Sequence, residues 1–136
     1  MVFVDTGAWI ALSDRKDQHH EDAVAVYTGL KRRWQRLVTT DYVIDETVTR
    51  IRYDVSHSAA VRFLDFVERA ETKEVLIIVR IDKILFEEAK DIFRQYDSAK
   101  LSFTDCVSFV VCRNYRIFEA FTFDSHFAMM GITLLQ

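Results

Sequence analysis

The sequence predicts an α/β fold in which a mainly parallel sheet is flanked by helices, and two observations carry that prediction. Short apolar runs of strand length alternate with longer stretches whose apolar residues recur at helical spacing, the pattern of successive βα units. The chain also holds only 3 glycines and no proline, too few for the tight turns that an all-β fold requires.

Met1 to Val4 is an apolar run suited to a strand buried on both faces, and it ends at Asp5. A short helix is expected from Ala8 to about Ser13. Asp17 is placed to cap a second helix carrying Ala23, Val24, Tyr27 and Leu30 on one face. Lys31, Arg32, Arg33 and Arg36 fall near its carboxyl end, where the helix dipole favours cations. Leu37 to Thr39 reads as a brief strand, and Thr40 or Asp41 caps a helix through Val43, Ile44, Thr47, Val48 and Ile51. Ser56 or Ser58 opens a helix with Val61, Leu64 and Val67 facing inward, and Val75 to Val79 forms the next buried strand. Asp82 begins a helix whose core side is Ile84, Leu85, Ala89, Ile92 and Phe93. Ser102, three residues before Asp105, resembles a capping box opening a helix that runs to about Asn114. Ile117 to Phe123 is a strand ending at Asp124, and Ile132 to Leu135 is a last short strand. Phe63, Phe66, Phe86, Phe93, Phe103 and Phe109 fall on helical apolar faces and are assigned to the core rather than to base stacking.

A length of 136 residues suits a single domain spanning 1–136. The net charge of −3 and pI near 5.8 exclude broad electrostatic adhesion to nucleic acid, though not a local basic patch. No apolar run approaches the roughly 20 residues of a membrane span. The N-terminus lacks the features of a signal peptide, so a cytoplasmic protein is expected. Cys106 and Cys112 are spaced for neither a CxxC pair nor a zinc half-site and read as reduced core residues. His19 and His20 are adjacent and diverge on a helix, while His57 and His126 show no HExxH-like spacing.

In parallel sheets of this kind ligands bind at the carboxyl ends of the strands, and that rule selects acids by position. Asp5 and Asp124 each terminate an apolar strand, Asp105 occupies a first helical turn, and Glu46 lies in a helix that begins just after a strand. Clustered carboxylates repel one another, so such a set is expected to hold a divalent cation; hard oxygen ligands suit Mg²⁺ or Mn²⁺. Each acid has a structural reading as well. Asp105 is also a dipole partner, Glu46 beside Asp45 is also solvated helix surface, and Asp124 is also a helix cap. Asp5, next to Val4, demands a partner because a buried acid must be satisfied.

Four segments carry a resemblance: Val2-Phe3-Val4-Asp5-Thr6-Gly7-Ala8, Asp45-Glu46, Leu101-Ser102-Phe103-Thr104-Asp105 and Thr122-Phe123-Asp124-Ser125-His126-Phe127. Together with Asp17-x-x-His20-x-x-Ala23 they resemble the PIN-domain ribonucleases, especially the VapC-like toxins of toxin-antitoxin pairs. The resemblance implies a five-stranded, mainly parallel sheet flanked by helices and Mg²⁺- or Mn²⁺-dependent cleavage of RNA. By position it makes Asp5 and Asp105 the central metal ligands, with Asp124 and Glu46 completing the acidic pocket. Thr6, Thr104 and Thr122 take the family's neighbouring hydroxyl positions. It also implies a homodimer and a small antitoxin partner.

Two other readings use the same residues. Val4-Asp5-Thr6-Gly7-Ala8 also resembles the active-site signature of retroviral-type aspartic proteases, although the helical periodicities oppose that β-rich fold. A PIN-like fold without activity, serving as an RNA- or protein-binding module, is the other. A haloacid-dehalogenase-type phosphatase is set aside because Gly7 stands where its second aspartate is needed. Lys31, Arg32, Arg33 and Arg36, with Trp34 among them, read as a solvated helix end or as contacts for backbone phosphates, with Arg50 and Arg52 downstream of Glu46.

Overall fold

The computed structural model describes residues 1–136. Five strands, β1 (Val2–Val4), β2 (Leu37–Thr40), β3 (Leu76–Val79), β4 (Glu119–Phe121) and β5 (Thr133–Leu135), form one sheet in the order β3-β2-β1-β4-β5. Every pairing is parallel, so the expected mainly parallel sheet is wholly so. β1, β3, β4 and β5 lie within the expected runs and are shorter at one or both ends, while β2 extends one residue further, to Thr40. Val2, Phe3 and Val4 are fully buried, as a central strand covered on both faces requires. The helices are α1 (Thr6–Ser13), α2 (His20–Arg32), α3 (Asp41–Asp54), α4 (His57–Thr72), α5 (Lys83–Gln95), α6 (Phe103–Tyr115) and α7 (His126–Met129). A parallel α/β sheet flanked by seven helices rules out the aspartic-protease reading of the first segment.

The order in which successive strands are added reverses at β1, which has β2 on one side and β4 on the other. The crevice beyond the carboxyl ends of β1 and β4 is therefore the topological switch point, where such sheets open a binding site. The remaining connections bury a single apolar cluster that includes Trp9, Phe109, Phe121 and Phe127. Phe109 and Phe127 meet edge to face with centroids 5.0 Å apart, a favoured aromatic geometry. Cys106 and Cys112 are free and buried in this core, and burial pushes their thiols up to about 11 and about 12. No helix is long and apolar enough to cross a membrane.

Several helix starts follow the sequence. The Thr40, Ser56 and Asp82 side chains accept from Val43, Ala59 and Leu85 N–H, each capping its helix. The second helix departs from expectation. It begins at His20, with no side-chain cap, and Asp17 Oδ1 accepts the His19 N–H at 2.8 Å in the preceding turn. The first helix starts at Thr6 rather than Ala8.

Three helical faces also differ from the prediction. Val24 is exposed on α2; α4 buries Ala59, Ala60, Phe63 and Val67, leaving Val61 and Leu64 outside. On α5 the buried stripe is Leu85, Ala89 and Ile92, while Ile84 and Phe93 are exposed. Both helices carry apolar residues around more than half their circumference, and the stripe spaced i, i+3, i+4 through the larger or central side chains is the one that packs. Of the six phenylalanines assigned to the core, Phe63 and Phe109 are buried and Phe66 packs against the cluster. Phe86 and Phe93 are exposed, flanking half-buried Phe103 with ring centroids at 5.1 and 6.2 Å.

The chain's few glycines leave a mark on its helix ends. Trp34, Glu74 and Arg116 take positive φ of 55°, 57° and 56° where α2, α4 and α6 stop, a left-handed conformation usually given to glycine. Trp34 stands 92% exposed in the basic segment. The Arg36 carbonyl accepts the Val2 N–H at 3.0 Å, so this segment lies at the amino edge of the sheet.

Candidate active site

Asp5 leaves β1 and serves as the N-terminal flanking residue of α1, its backbone still extended at φ −89° and ψ 164°. Its N–H donates to the Phe121 carbonyl at 3.1 Å, which fastens it to β4. One step beyond β4, the buried Thr122 hydroxyl donates to Asp5 Oδ2 at 3.0 Å and accepts the Asp124 N–H at 3.0 Å. A single hydroxyl thus ties the two strand-end acids together. Thr6, at the first position of α1, donates to Glu46 Oε2 at 3.0 Å and so draws α3 towards the same crevice.

Asp105 enters from α6. The Ser102 hydroxyl accepts the Asp105 N–H at 3.0 Å and Asp105 Oδ2 accepts the Ser102 N–H at 2.9 Å, a complete capping box. The structural and functional readings of Asp105 therefore coexist, since one carboxylate oxygen serves the helix and the other is left over. Thr104 contributes its carbonyl, which accepts from the Ser108 hydroxyl, and its side chain makes no hydrogen bond to the acids. Asp124 does not cap α7, where Ser125 takes the flanking position; its Oδ1 accepts the His126 N–H at 2.9 Å in a turn instead.

Electrostatics shows that the acids feel one another. Burial pushes the Asp5 carboxyl up to about 7, reinforced by the charges of Asp105 and Asp124 and opposed by the Thr6 N–H and the Thr122 hydroxyl. Asp105 is also raised, by burial first and then by Asp124 and Glu46, against the favourable Ser102 contacts. Such a set has more negative charge than the surrounding dipoles neutralise. Donor atoms of Asp105, Asp124 and His126 lie within 4.8 Å of one another, close enough to share an ion. Oxygen donors with surplus charge fit a hard divalent cation.

His126 is the neighbour that helical and HExxH spacing overlooks. An Asp-x-His in the turn that follows a strand was the available signal, because a turn there folds residue i+2 back onto residue i. The basic residues Lys31, Arg32, Arg33 and Arg36 are not part of this crevice. They are exposed at the opposite edge of the sheet from Asp5. Apolar concavities also lie elsewhere, one of about 370 Å³ lined by Trp9, Leu12, Val24, Tyr27 and Phe63.

Acids gathered at the switch point of a five-stranded parallel sheet, Asp105 and Asp124 grouped with His126 and Asp5 and Glu46 beside them, mark the class. The family model described as "PIN domain" matches residues 2–132, and the chain belongs to that family. Among curated proteins it is 32% identical over 135 residues to the "VapC ribonuclease" of Archaeoglobus fulgidus, covering 96% of this chain and 81% of that one. It is 31% identical over 138 residues to the "23S rRNA-specific endonuclease VapC20" of Mycobacterium tuberculosis, covering 96% of this chain and 95% of that one. The crystal structure of Mycobacterium tuberculosis VapC20, described as a Sarcin-Ricin loop cleaving toxin, superposes with a TM-score of 0.88 at 27% identity, over 98% of this chain and 97% of that one. FitAcB from Neisseria gonorrhoeae shares the fold, with a TM-score of 0.67 at 11% identity, over 100% of this chain and 97% of that one.

Proposed function

We propose that the protein is an endoribonuclease, dependent on Mg²⁺ or Mn²⁺, and the toxin of a toxin-antitoxin pair. The observation that carries the reading is the convergence of Asp5, Glu46, Asp105 and Asp124 from four separate elements on one crevice, with Asp5 raised to about 7 by burial and by its acidic neighbours. Relatives named VapC ribonuclease and 23S rRNA-specific endonuclease supply the substrate class. They make ribosomal RNA the first substrate to try.

Asp5, Asp105 and Asp124 would hold the cation, with Glu46 completing the pocket. A divalent cation there supplies charge neutralisation at the scissile phosphate and activates water for attack. The chain's own residues prepare that chemistry. The Thr122 hydroxyl fixes the Asp5 rotamer, Thr6 fixes Glu46, and the capping box fixes Asp105, so the carboxylates are oriented before substrate arrives. Glu46, half-buried on α3 with its Oε2 held by the Thr6 hydroxyl, would orient the attacking water. A single domain over 1–136, a homodimer, a small antitoxin and a cytoplasmic location complete the proposal.

The test is cleavage of a labelled RNA pool by purified protein with Mg²⁺ or Mn²⁺, beside EDTA and Asp105→Asn controls. Cutting that is lost in both controls is expected. A folded protein that binds the cation and cuts nothing in the pool would shift the reading to a silent RNA- or protein-binding module.

A further inference from the structure

His126 is the residue beside the acids that the proposed chemistry leaves without a role. It stands at the first position of α7, is half-buried, and follows Asp124 by two residues. Its Nδ1 lies 3.0 Å from Asp124 Oδ1. We propose that His126 is a nitrogen ligand of the cation held by Asp105 and Asp124, giving a mixed oxygen and nitrogen site that favours transition-metal cations over Mg²⁺. The inference rests on the metal-site reading above and adds to it the ligand that sets cation preference.

The distances have the scale of a coordination shell. Around an octahedral ion with bonds of about 2.1 Å, neighbouring donors are about 3 Å apart and opposite ones about 4.2 Å. The 3.0 Å pair matches neighbouring donors on that scale, and Asp105, whose donor atom lies within 4.8 Å of both, needs only a small side-chain shift to join them. A hydrogen bond between ring and carboxylate would have the same length, yet Asp124 does not need one to be held. Its Oδ1 already accepts the His126 N–H, and its own N–H is held by Thr122. What the imidazole adds is a nitrogen lone pair next to two carboxylates. Imidazole is a good donor for Fe²⁺, Ni²⁺ or Zn²⁺; Mg²⁺ and Mn²⁺ both suit carboxylate, carbonyl and water, but Mn²⁺, the weakest of the first-row series, takes nitrogen more readily than Mg²⁺.

Mn²⁺ is the probe, because it is paramagnetic and its bound form is directly visible. Titration of the metal-free protein followed by electron paramagnetic resonance gives the affinity, and pulsed spectra of the bound ion show any nitrogen coupling. The wild type is expected to bind Mn²⁺ with a nitrogen coupling that vanishes in His126→Asn. That variant should lose roughly tenfold or more in Mn²⁺ affinity, at least the effect of removing a partner from a metal's outer shell. Its Mg²⁺ affinity, measured by competition, should change much less. Bound Mn²⁺ without nitrogen coupling in the wild type overturns the ligation outright, even if His126→Asn does not fold. A wild type that binds no Mn²⁺ overturns the metal-site reading itself, and this inference with it.

Discussion

The two edges of the sheet carry charge in opposite ways. At the carboxyl edge Asp5 is 6% exposed, its partners are fixed hydroxyl and N–H groups, and its carboxyl is driven up to about 7. At the amino edge Lys31, Arg32, Arg33 and Arg36 stand in solvent around Trp34. The difference separates charge that must do something from charge that keeps a helix end soluble. Desolvated, mutually repelling acids are a cost that a bound cation or a proton offsets; solvated arginines carry little free energy. Each edge stores strain in its own form, electrostatic at one and left-handed backbone at the other.

Asp105→Asn gives the largest expected effect. In the proposed role its carboxylate holds the cation, and removing it would cost several kcal/mol of transition-state stabilisation, so RNA cleavage should fall roughly a thousandfold. The asparagine carbonyl still accepts the Ser102 N–H, so thermal melting should move little. Cleavage retained at the wild-type rate would remove Asp105 from the site.

Next comes Asp5, through pH. Its carboxyl titrates at about 7 in the fold against 3.8 ordinarily, so between those values the native protein binds more protons than the unfolded chain. Stability of the metal-free protein therefore falls as pH rises through that window and is lowest above it. Three pKa units correspond to at most about 4 kcal/mol. Urea melts in EDTA should show the wild type weaker at pH 8 than at pH 5, and Asp5→Asn stabilised at pH 8. A flat wild-type profile contradicts the buried-charge account.

Thr122→Val probes the hydroxyl that joins both strand-end acids. It should lower cation affinity roughly ten- to a hundredfold, as loss of an outer-shell partner does, while stability changes by only about 1 kcal/mol. Calorimetric titration with Mn²⁺ and a denaturant melt read the two effects separately. Equal losses in both would make Thr122 a packing residue.

The amino edge should give the smallest effects. Trp34→Gly relieves a left-handed tryptophan and is expected to raise stability by about 1 kcal/mol, read from a thermal melt. Arg32→Glu with Arg33→Glu should leave cleavage of a short RNA and its salt dependence unchanged. A flattened salt dependence would bring the basic segment into the path of the substrate.

The strand-end acids were legible because a buried parallel strand has an unmistakable apolar run, and the residue that follows it lands on the functional edge. The capping box at Ser102 and Asp105 was equally plain, since its spacing is local. Helical faces were harder. On α4 two apolar stripes compete, and the one through Val61 and Leu64 loses to the one through Ala60, Phe63 and Val67 because Phe63 fills the space beside Trp9. That outcome depends on a residue some fifty positions away, which periodicity does not contain. The Thr122 relay was visible only as a position, because its partner Asp5 is 117 residues distant. His126 escaped because its contact comes from a turn, and neither of the regular spacings describes a turn.

The capping box gives Asp105 an occupation independent of RNA. A lineage released from selection for cutting would not lose its acids evenly. Drift would remove Asp5 first and gain stability by doing so, because its buried charge weakens the metal-free fold. Folding alone would keep an acceptor at position 105, aspartate or asparagine, because its side-chain oxygen closes the start of α6 on the Ser102 N–H. The expected fossil of a nuclease turned binding module is a relative with the cap kept at 105, by aspartate or asparagine, and an amide or apolar residue where Asp5 stands.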